Sequence, residues 1–257
     1  MLYELKQKLP PPVRHLIRRM LNRMSGLPEE AADLTPKLHA MLRGKVAAGP
    51  FAGMTYIAAA SGSEICPKLL GTYEMELWPI VTEAVKRPYD LFVDLGAGEG
   101  YYAVGMARAK PEMKVIAFEA GDEARALLAE MVQLNGVADR VEICGAAAVG
   151  DVQRSLSQGK RTLLLCDVEG AEVELLDPKL APLLENADIL IELHDSLRPG
   201  TSRLIRERFA HRRIEKFSRK ARHVKDCPWV NLTPRQKMVG MWENRAMKQD
   251  WFWMPVR

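Results

Sequence analysis

A glycine-rich turn after a short apolar run is the feature of this sequence most suited to binding chemistry. The run Leu91–Leu95 leads into Gly96, Gly98 and Gly100, a spacing that differs from the Gly-x-Gly-x-x-Gly of dinucleotide sites. Glycines let the backbone approach a ligand, and a following helix presents its first N–H groups there. The charge of Asp94, just before the glycines, would repel a pyrophosphate but attract an ammonium group. The loop therefore favours a ligand that carries a cationic amino acid, such as S-adenosylmethionine.

A second acidic residue, Glu119, ends the next apolar run and is followed by Ala120. A carboxylate at the end of the second strand can accept hydrogen bonds from both ribose hydroxyls of a nucleoside. The third run, Val141–Cys144, is followed by Gly145 and Ala146, whose small side chains would leave room for an adenine ring or would pack against a neighbouring helix. The residues predicted to contact the cofactor are Asp94, Gly96, Gly98, Gly100, Tyr102, Glu119, Ala120, Gly145, Ala146 and Asp167.

Three carboxylates lie directly after the fourth apolar run, residues 163–166. Asp167, Glu169 and Glu172 fall within six residues. The dipole of a helix N-terminus favours one such acid, but three exceed what capping needs. Cys166 ends the apolar run itself, which indicates a core cysteine rather than a nucleophile. The loop after the fourth strand is therefore a second candidate site for chemistry.

The acidic stretch at residues 167–172 resembles the signature of FkbM-type methyltransferases. The similarity continues into residues 187–195 and, with the glycine loop and residues 71–74, covers about residues 70 to 210. The resemblance implies S-adenosylmethionine binding and, usually, O-methylation of a small molecule or a glycan, without identifying the acceptor. It also brings forward four candidate substrate contacts, which are Tyr73, Glu74, Glu192 and Asp195.

A sulfonium methyl group is already electrophilic, so such an enzyme mainly aligns an acceptor and removes its proton. The predicted catalytic residues are Asp167, Glu169 and His194, with Asp167 and His194 as the leading candidates for the base. A hydrogen-bonded structural role is the alternative for His194. Asp167 and Asp195 could instead jointly hold a Mg²⁺-like ion. The sequence lacks the complete ligand pattern of catechol-type O-methyltransferases, so no metal is predicted.

The elements that must position these residues are strands that alternate with helices from residue 89 onward. Alternation of this kind predicts βαβ units and a parallel sheet, with ligands beyond the carboxyl ends of the strands. We expect a Rossmann-like class I methyltransferase fold, with a mostly parallel seven-stranded sheet and helices on both faces. The predicted strands are 91–95, 115–118, 141–144, 163–166, 189–193, 214–217 and 251–256, and the helices between them are 101–109, 122–134, one near 151, one from 171 past Pro178, and 201–209.

The first 87 residues differ in pattern and are predicted to form a helical extension and candidate lid on a cofactor-binding domain at residues 88–257. Apolar residues at helical spacing between positions 13 and 24 predict a basic amphipathic helix, suited to packing on its own domain, on a second subunit or on an anionic membrane. Further helices are predicted over 28–42 and from 72 to 87, with loops over 47–71.

The charge distribution leaves two other functions open. The net charge is +4, yet residues 198–225 contain eleven Lys and Arg residues and only two acids, Glu207 and Glu215. This segment suits either a solvated face or the phosphates of an RNA substrate. An RNA methyltransferase is therefore one alternative, although the Asn/Asp-Pro-Pro-aromatic motif of base amino methylation is absent after the fourth strand. A non-catalytic S-adenosylmethionine-binding protein is the other.

Cysteine usage and hydropathy bear on location and assembly. The four cysteines form no C-x-x-C pair, and no run reads as a secretory signal or approaches membrane-spanning length, which predicts a cytoplasmic protein. Residues 251–253, Trp-Phe-Trp, are candidate contacts of a homodimer, but core packing fits them better.

Overall fold

The computed structural model describes residues 27–228, 230–243 and 249–256, so the helix predicted within residues 13–24 lies outside the described residues. A seven-stranded sheet with the order β3-β2-β1-β4-β5-β7-β6 forms its centre. The strands are β1 Leu91–Leu95, β2 Lys114–Phe118, β3 Val141–Cys144, β4 Thr162–Cys166, β5 Ala187–Leu193, β6 Glu215–Ser218 and β7 Asp250–Met254. Among the described strands of the sheet, β7 runs antiparallel to its two neighbours, β5 and β6, and the other pairs are parallel. The predicted mostly parallel, Rossmann-like sheet is confirmed.

The helices cover both faces of the sheet, as expected. They are α1 Leu27–Met41, α2 Ile65–Leu70, α3 Trp78–Lys86, α4 Tyr101–Ala109, α5 Asp122–Leu134, α6 Val149–Leu156, α7 Glu172–Leu175, α8 Thr201–Arg208 and α9 Pro234–Gly240. Alternate residues of β1 face opposite layers: Phe92 belongs to the hydrophobic cluster that contains α1 to α5 and α9, whereas Val93 belongs to the one that contains α6 to α8. Because β1, β4 and β5 are buried along their whole lengths, their sequences are nearly continuous apolar runs.

Three predicted boundaries need correction. The loop predicted over residues 47–71 contains α2. The helix predicted from residue 72 begins later, with a 3₁₀ turn at Met75–Leu77, because Glu74 adopts a left-handed backbone with a φ of 46°. The helix predicted to run past Pro178 is the single turn α7, since Pro178 has no N–H and disfavours helical backbone at the residue before it.

The segment before the sheet packs on the same layer as α4. Phe51 and Tyr56 belong to one hydrophobic cluster with Phe92 of β1. The ring of Phe51 lies so close to Gly105 that a Cβ there would be 2.5 Å from it, so only glycine fits. The division at residue 87 stays a prediction.

Two further expectations concern buried residues. The Trp-Phe-Trp stretch at residues 251–253 is buried in β7, which confirms the prediction of core packing. Cys166 is buried in β4, and none of the four cysteines forms a disulfide bond. Among the described residues, no helix is both long and apolar enough to span a membrane.

Candidate active site

A cavity of about 840 Å³ opens at the carboxyl ends of β1, β2, β4 and β5. The sequence predicts a functional site at this position, because the carboxyl ends of parallel strands lie at one edge of the sheet. Most of the predicted site residues line it: Tyr73, Asp94, Gly96, Gly98, Tyr102, Glu119, Ala120, Ala146, Asp167, Glu169, Glu192 and His194.

Asp94, on β1, is a buried carboxylate without a counter-charge on its own oxygens. Its side chain lines the cavity, the residue is 1% exposed, and among the described residues neither carboxylate oxygen has a hydrogen-bond partner within normal distance. Burial raises the pKa of Asp94 to about 7; the charge of Glu119 adds to the rise, and the Ala103 amide opposes it only in part. A site of this kind favours a cation that approaches from the cavity.

The glycine loop is shaped by its contact with the loop after β4. Gly96 has a φ of +87°, and a Cβ at this position would lie 1.7 Å from the backbone oxygen of Asp167. Gly98 and Gly100 also have positive φ values, 55° and 99°, and Gly100 precedes the first turn of α4. The missing side chain of Gly96 therefore lets the loops after β1 and β4 lie close together along one wall of the cavity.

Replacement of Gly96 by alanine is expected to destabilise the protein by about 2 to 6 kcal/mol, since it adds a backbone clash to left-handed strain. Gly53 is the matched control, because it has a φ of +81° but nothing within 4 Å of the added Cβ. Chemical denaturation of both variants measures the difference, and equal losses of stability would contradict the close contact.

Glu119 joins the glycine loop to the start of α5. Its Oε2 accepts a hydrogen bond of 2.8 Å from the Gly98 amide, and its Oε1 accepts one of 2.7 Å from the Gly121 amide. These bonds fix the carboxylate at the cavity wall while each oxygen keeps a lone pair for a further donor. Beyond β3, Ala146 lines the cavity but Gly145 is not among its lining residues.

An aromatic wall closes the cavity on the side of α4. Tyr73 and Tyr101 pack edge to face with ring centroids 5.2 Å apart, and Tyr102 packs in the same way on Tyr101. The Tyr102 hydroxyl donates to the buried carboxylate of Glu74, whose left-handed backbone aims it inward. Tyr73 and Tyr102 thus reach the cavity, whereas Glu74 acts on it through Tyr102.

Sequence analysis did not predict the ion pair between Lys68 and Glu99 beside the glycine loop. Glu99, within the glycine stretch, is buried and accepts hydrogen bonds from Lys68, from the Tyr56 hydroxyl at 2.7 Å and from the Ser61 amide at 3.1 Å. Burial by itself would raise the pKa of Glu99, but the charge and hydrogen bond of Lys68, together with the hydrogen bonds from Tyr56 and Ser61, lower it. The position of Glu99 between two glycines was the available signal; its partners come from distant loops.

His194, just after β5, lies next to the acids of the loop after β4. Its Nε2 atom lies 3.5 Å from Asp167 Oδ1, 3.5 Å from Glu169 Oε2 and 3.5 Å from Glu192 Oε1. Its Nδ1 atom donates to Glu172, a residue with no exposed surface. We call these five side chains the histidine–carboxylate cluster. The three acids noted in the sequence after β4 therefore share one imidazole.

The electrostatics of the cluster favour a positive charge on the ring. Burial opposes the charged form of His194, but hydrogen bonds to Glu172 and Glu192 and the charge of Asp167 raise its pKa to about 11.

Asp195 points away from the cluster. Its carboxylate accepts hydrogen bonds from the Gly200 amide at 3.2 Å and from the Ser202 hydroxyl at 3.1 Å, at the start of α8. It is not among the residues that line the cavity. Asp195 and Asp167 were weighed together from the sequence as metal ligands. In the structure Asp195 binds the start of α8, whereas Asp167 lies beside His194.

Comparison with known proteins gives similarities of fold. No protein-family model matches the sequence, and no curated protein is significantly similar to it. Similar solved structures include an O-methyltransferase from Bacillus cereus in complex with SAH (12% identity, 70% of this chain and 79% of that chain, TM-score 0.44). Others are a precorrin-6y C5,15-methyltransferase from Geobacter metallireducens (11%, 65% and 80%, 0.45) and a precorrin 8w decarboxylase from Methanobacterium thermoautotrophicum (14%, 72% and 90%, 0.46). The FkbM-type resemblance stays a prediction.

Proposed function

We propose that this protein is an S-adenosylmethionine-dependent methyltransferase that methylates an oxygen atom of a small-molecule or glycan acceptor. The observation that carries the proposal is the buried carboxylate of Asp94, which faces the cavity beside the glycine loop. The α-ammonium group of the cofactor would supply the missing counter-charge. Gly96 and Gly98 leave room for the methionine portion of the cofactor. Glu119, directly after β2, accepts hydrogen bonds from the ribose hydroxyls.

The cofactor supplies an electrophilic methyl group, and the chain supplies alignment and a proton acceptor. Asp167 and Glu169 present carboxylates on the cavity side of the histidine–carboxylate cluster, with side chains 29% and 74% exposed. One of them takes the proton of the acceptor hydroxyl as the oxygen attacks the methyl group. His194 holds both acids in place, and Tyr73 lines the same cavity.

Two of the eleven basic residues at positions 198–225 are buried and support the fold. Arg222, with 8% of its side chain exposed, binds Glu76 and Glu243. Arg212, with 3% exposed, donates to the backbone oxygens of Leu184 and Ala187. These two arginines stabilise the fold, so they would not contribute to a phosphate-binding stripe for an RNA acceptor.

Replacing Glu119 by alanine is expected to weaken binding of S-adenosylhomocysteine about 100-fold, because two charge-assisted hydrogen bonds to ribose are lost. Asp122→Ala is the matched control, since this neighbouring acid pairs with Arg125 and is 91% exposed. Isothermal titration calorimetry measures both affinities. Unchanged binding by the Glu119 variant would remove the ribose assignment.

The proposed activity is tested with the labelled cofactor. Purified protein is incubated with S-adenosylmethionine carrying a labelled methyl group and with fractions of a cell extract, and labelled products are identified by mass spectrometry. We expect a labelled O-methyl product of low molecular mass. Tight cofactor binding with no transfer to any fraction would favour the non-catalytic binding protein, and label in RNA would favour the RNA methyltransferase.

A further inference from the structure

We propose that His194, Asp167 and Glu192 bind a divalent transition-metal ion at the acceptor side of the cavity. The inference concerns the same site as the proposed methyl transfer and rests on it only for the role of the ion. The metal site itself follows from the geometry of the histidine–carboxylate cluster. One ligand atom from each of the three residues lies within 4.8 Å of the other two.

The separations match the edges of a coordination shell. The Nε2 atom of His194 is 3.5 Å from the nearest oxygens of Asp167 and Glu192. Metal bonds of about 2.1 Å to nitrogen and oxygen place tetrahedral ligands about 3.4 Å apart. The three atoms therefore leave room for an ion between them, with little movement of the side chains.

The ligands are oriented by neighbours that do not enter the shell. Nδ1–H of His194 donates to Glu172, which also accepts a hydrogen bond of 3.0 Å from the Gly170 amide, so the Nε2 atom is turned toward the acids. Trp251 donates to Glu192 Oε2 at 3.1 Å, which leaves Oε1 on the side of the histidine. A histidine held by a buried carboxylate is the usual support of a metal ligand.

The charge of the cluster also calls for a cation. Two of the four carboxylates around the imidazole are buried: the side chains of Glu172 and Glu192 are 0% and 6% exposed, and that of His194 is 5% exposed. Gathering this much negative charge away from water is costly unless positive charge accompanies it. A divalent ion supplies more positive charge at this point than a proton on the ring does.

The donor set selects the kind of ion. One imidazole nitrogen with two carboxylate oxygens suits Mn²⁺, Fe²⁺ or Zn²⁺, whereas Mg²⁺ and Ca²⁺ prefer sites made of oxygen alone. The open positions of the ion would face the cavity on the exposed side of Asp167. An acceptor hydroxyl bound there would lose its proton more easily, and Glu169, at the rim, would receive it.

The test is a titration of the metal-free full-length protein with Mn²⁺, followed by electron paramagnetic resonance and calorimetry. We expect one ion per chain, and at least tenfold weaker binding by His194→Gln and by Asp167→Asn. Glu174→Gln is the matched control, because this acid of α7 pairs with Arg198 outside the cluster, and it should bind as the wild type does. Circular dichroism shows that each variant is folded.

The proposal is overturned if folded wild-type protein binds neither Mn²⁺ nor Zn²⁺, or if both ligand variants bind as tightly as the wild type. Calorimetry with S-adenosylhomocysteine in the presence of a chelator separates this result from the proposed function. Cofactor binding without metal binding would overturn the metal site alone, and metal binding without cofactor binding would overturn the methyltransferase alone.

Discussion

The Asp94→Asn variant is expected to bind the cofactor about 30-fold more weakly at pH 8 while being more stable than the wild type. Affinity falls because the ammonium group loses a charged partner, worth about 2 kcal/mol. Stability rises because burial holds the pKa of Asp94 at about 7 instead of its ordinary 3.8, so ionising it costs the folded protein up to about 4 kcal/mol. Calorimetry with S-adenosylhomocysteine and thermal unfolding measure the two changes.

The sign of the pH dependence follows from the same carboxyl group. The folded protein holds the Asp94 proton more tightly than the unfolded chain does, so this group's contribution to stability is lost as the pH rises from about 4 through 7. Cofactor binding needs the ionised form, so affinity should rise through pH 7 and weaken up to about tenfold per unit below it. The asparagine variant should lose this slope; a slope that persists in it would assign the effect to another group.

The Asp167→Asn variant is expected to lower kcat by about 10²- to 10⁴-fold while changing cofactor affinity less than tenfold. The reason is that the Asp167 carboxylate faces the acceptor side of the cavity, 3.5 Å from His194, whereas Asp94 and Glu119 hold the cofactor. Steady-state kinetics with the acceptor identified above, together with calorimetry, separate the two effects. Glu174→Gln removes an acid from the same region without touching the cluster.

Equal losses of turnover and cofactor affinity in Asp167→Asn would contradict this division of roles. A loss of turnover that added Mn²⁺ partly restores would instead point to metal binding as the main role of Asp167. Full activity of the variant would leave Glu169, whose carboxylate lies the same 3.5 Å from His194, as the acceptor of the proton.

Much of the sheet could be predicted because its signal is local. Strands β1 and β4 are buried from end to end, so the apolar runs marked them directly, and the glycines after β1 marked the turn that the cavity uses. The three acids after β4 could be recognised as a candidate site because a helix N-terminus needs only one acid for capping. The loops after β4 and β5 could be placed at the same edge of the sheet because these two strands are parallel neighbours.

The remaining features depend on contacts between distant parts of the chain, which periodicity does not encode. Lys68 and Glu99 meet across 31 positions, and His194 and Glu172 meet across 22. The short helix α2 was hidden because it begins at Ile65 with only six residues, Pro67 among them, too few to show a helical period. The left-handed backbone of Glu74 likewise has no signature in composition.

The antiparallel strand β7 has a consequence for how the protein matures. It lies between β5 and β6, so β6 cannot join the sheet until residues 250–254 have been synthesised and inserted. Trp251 of this strand also holds Glu192 beside His194. Closing such a long loop makes this pairing a late folding event. Nascent chains should therefore acquire the cofactor end of the cavity before they acquire its acceptor end.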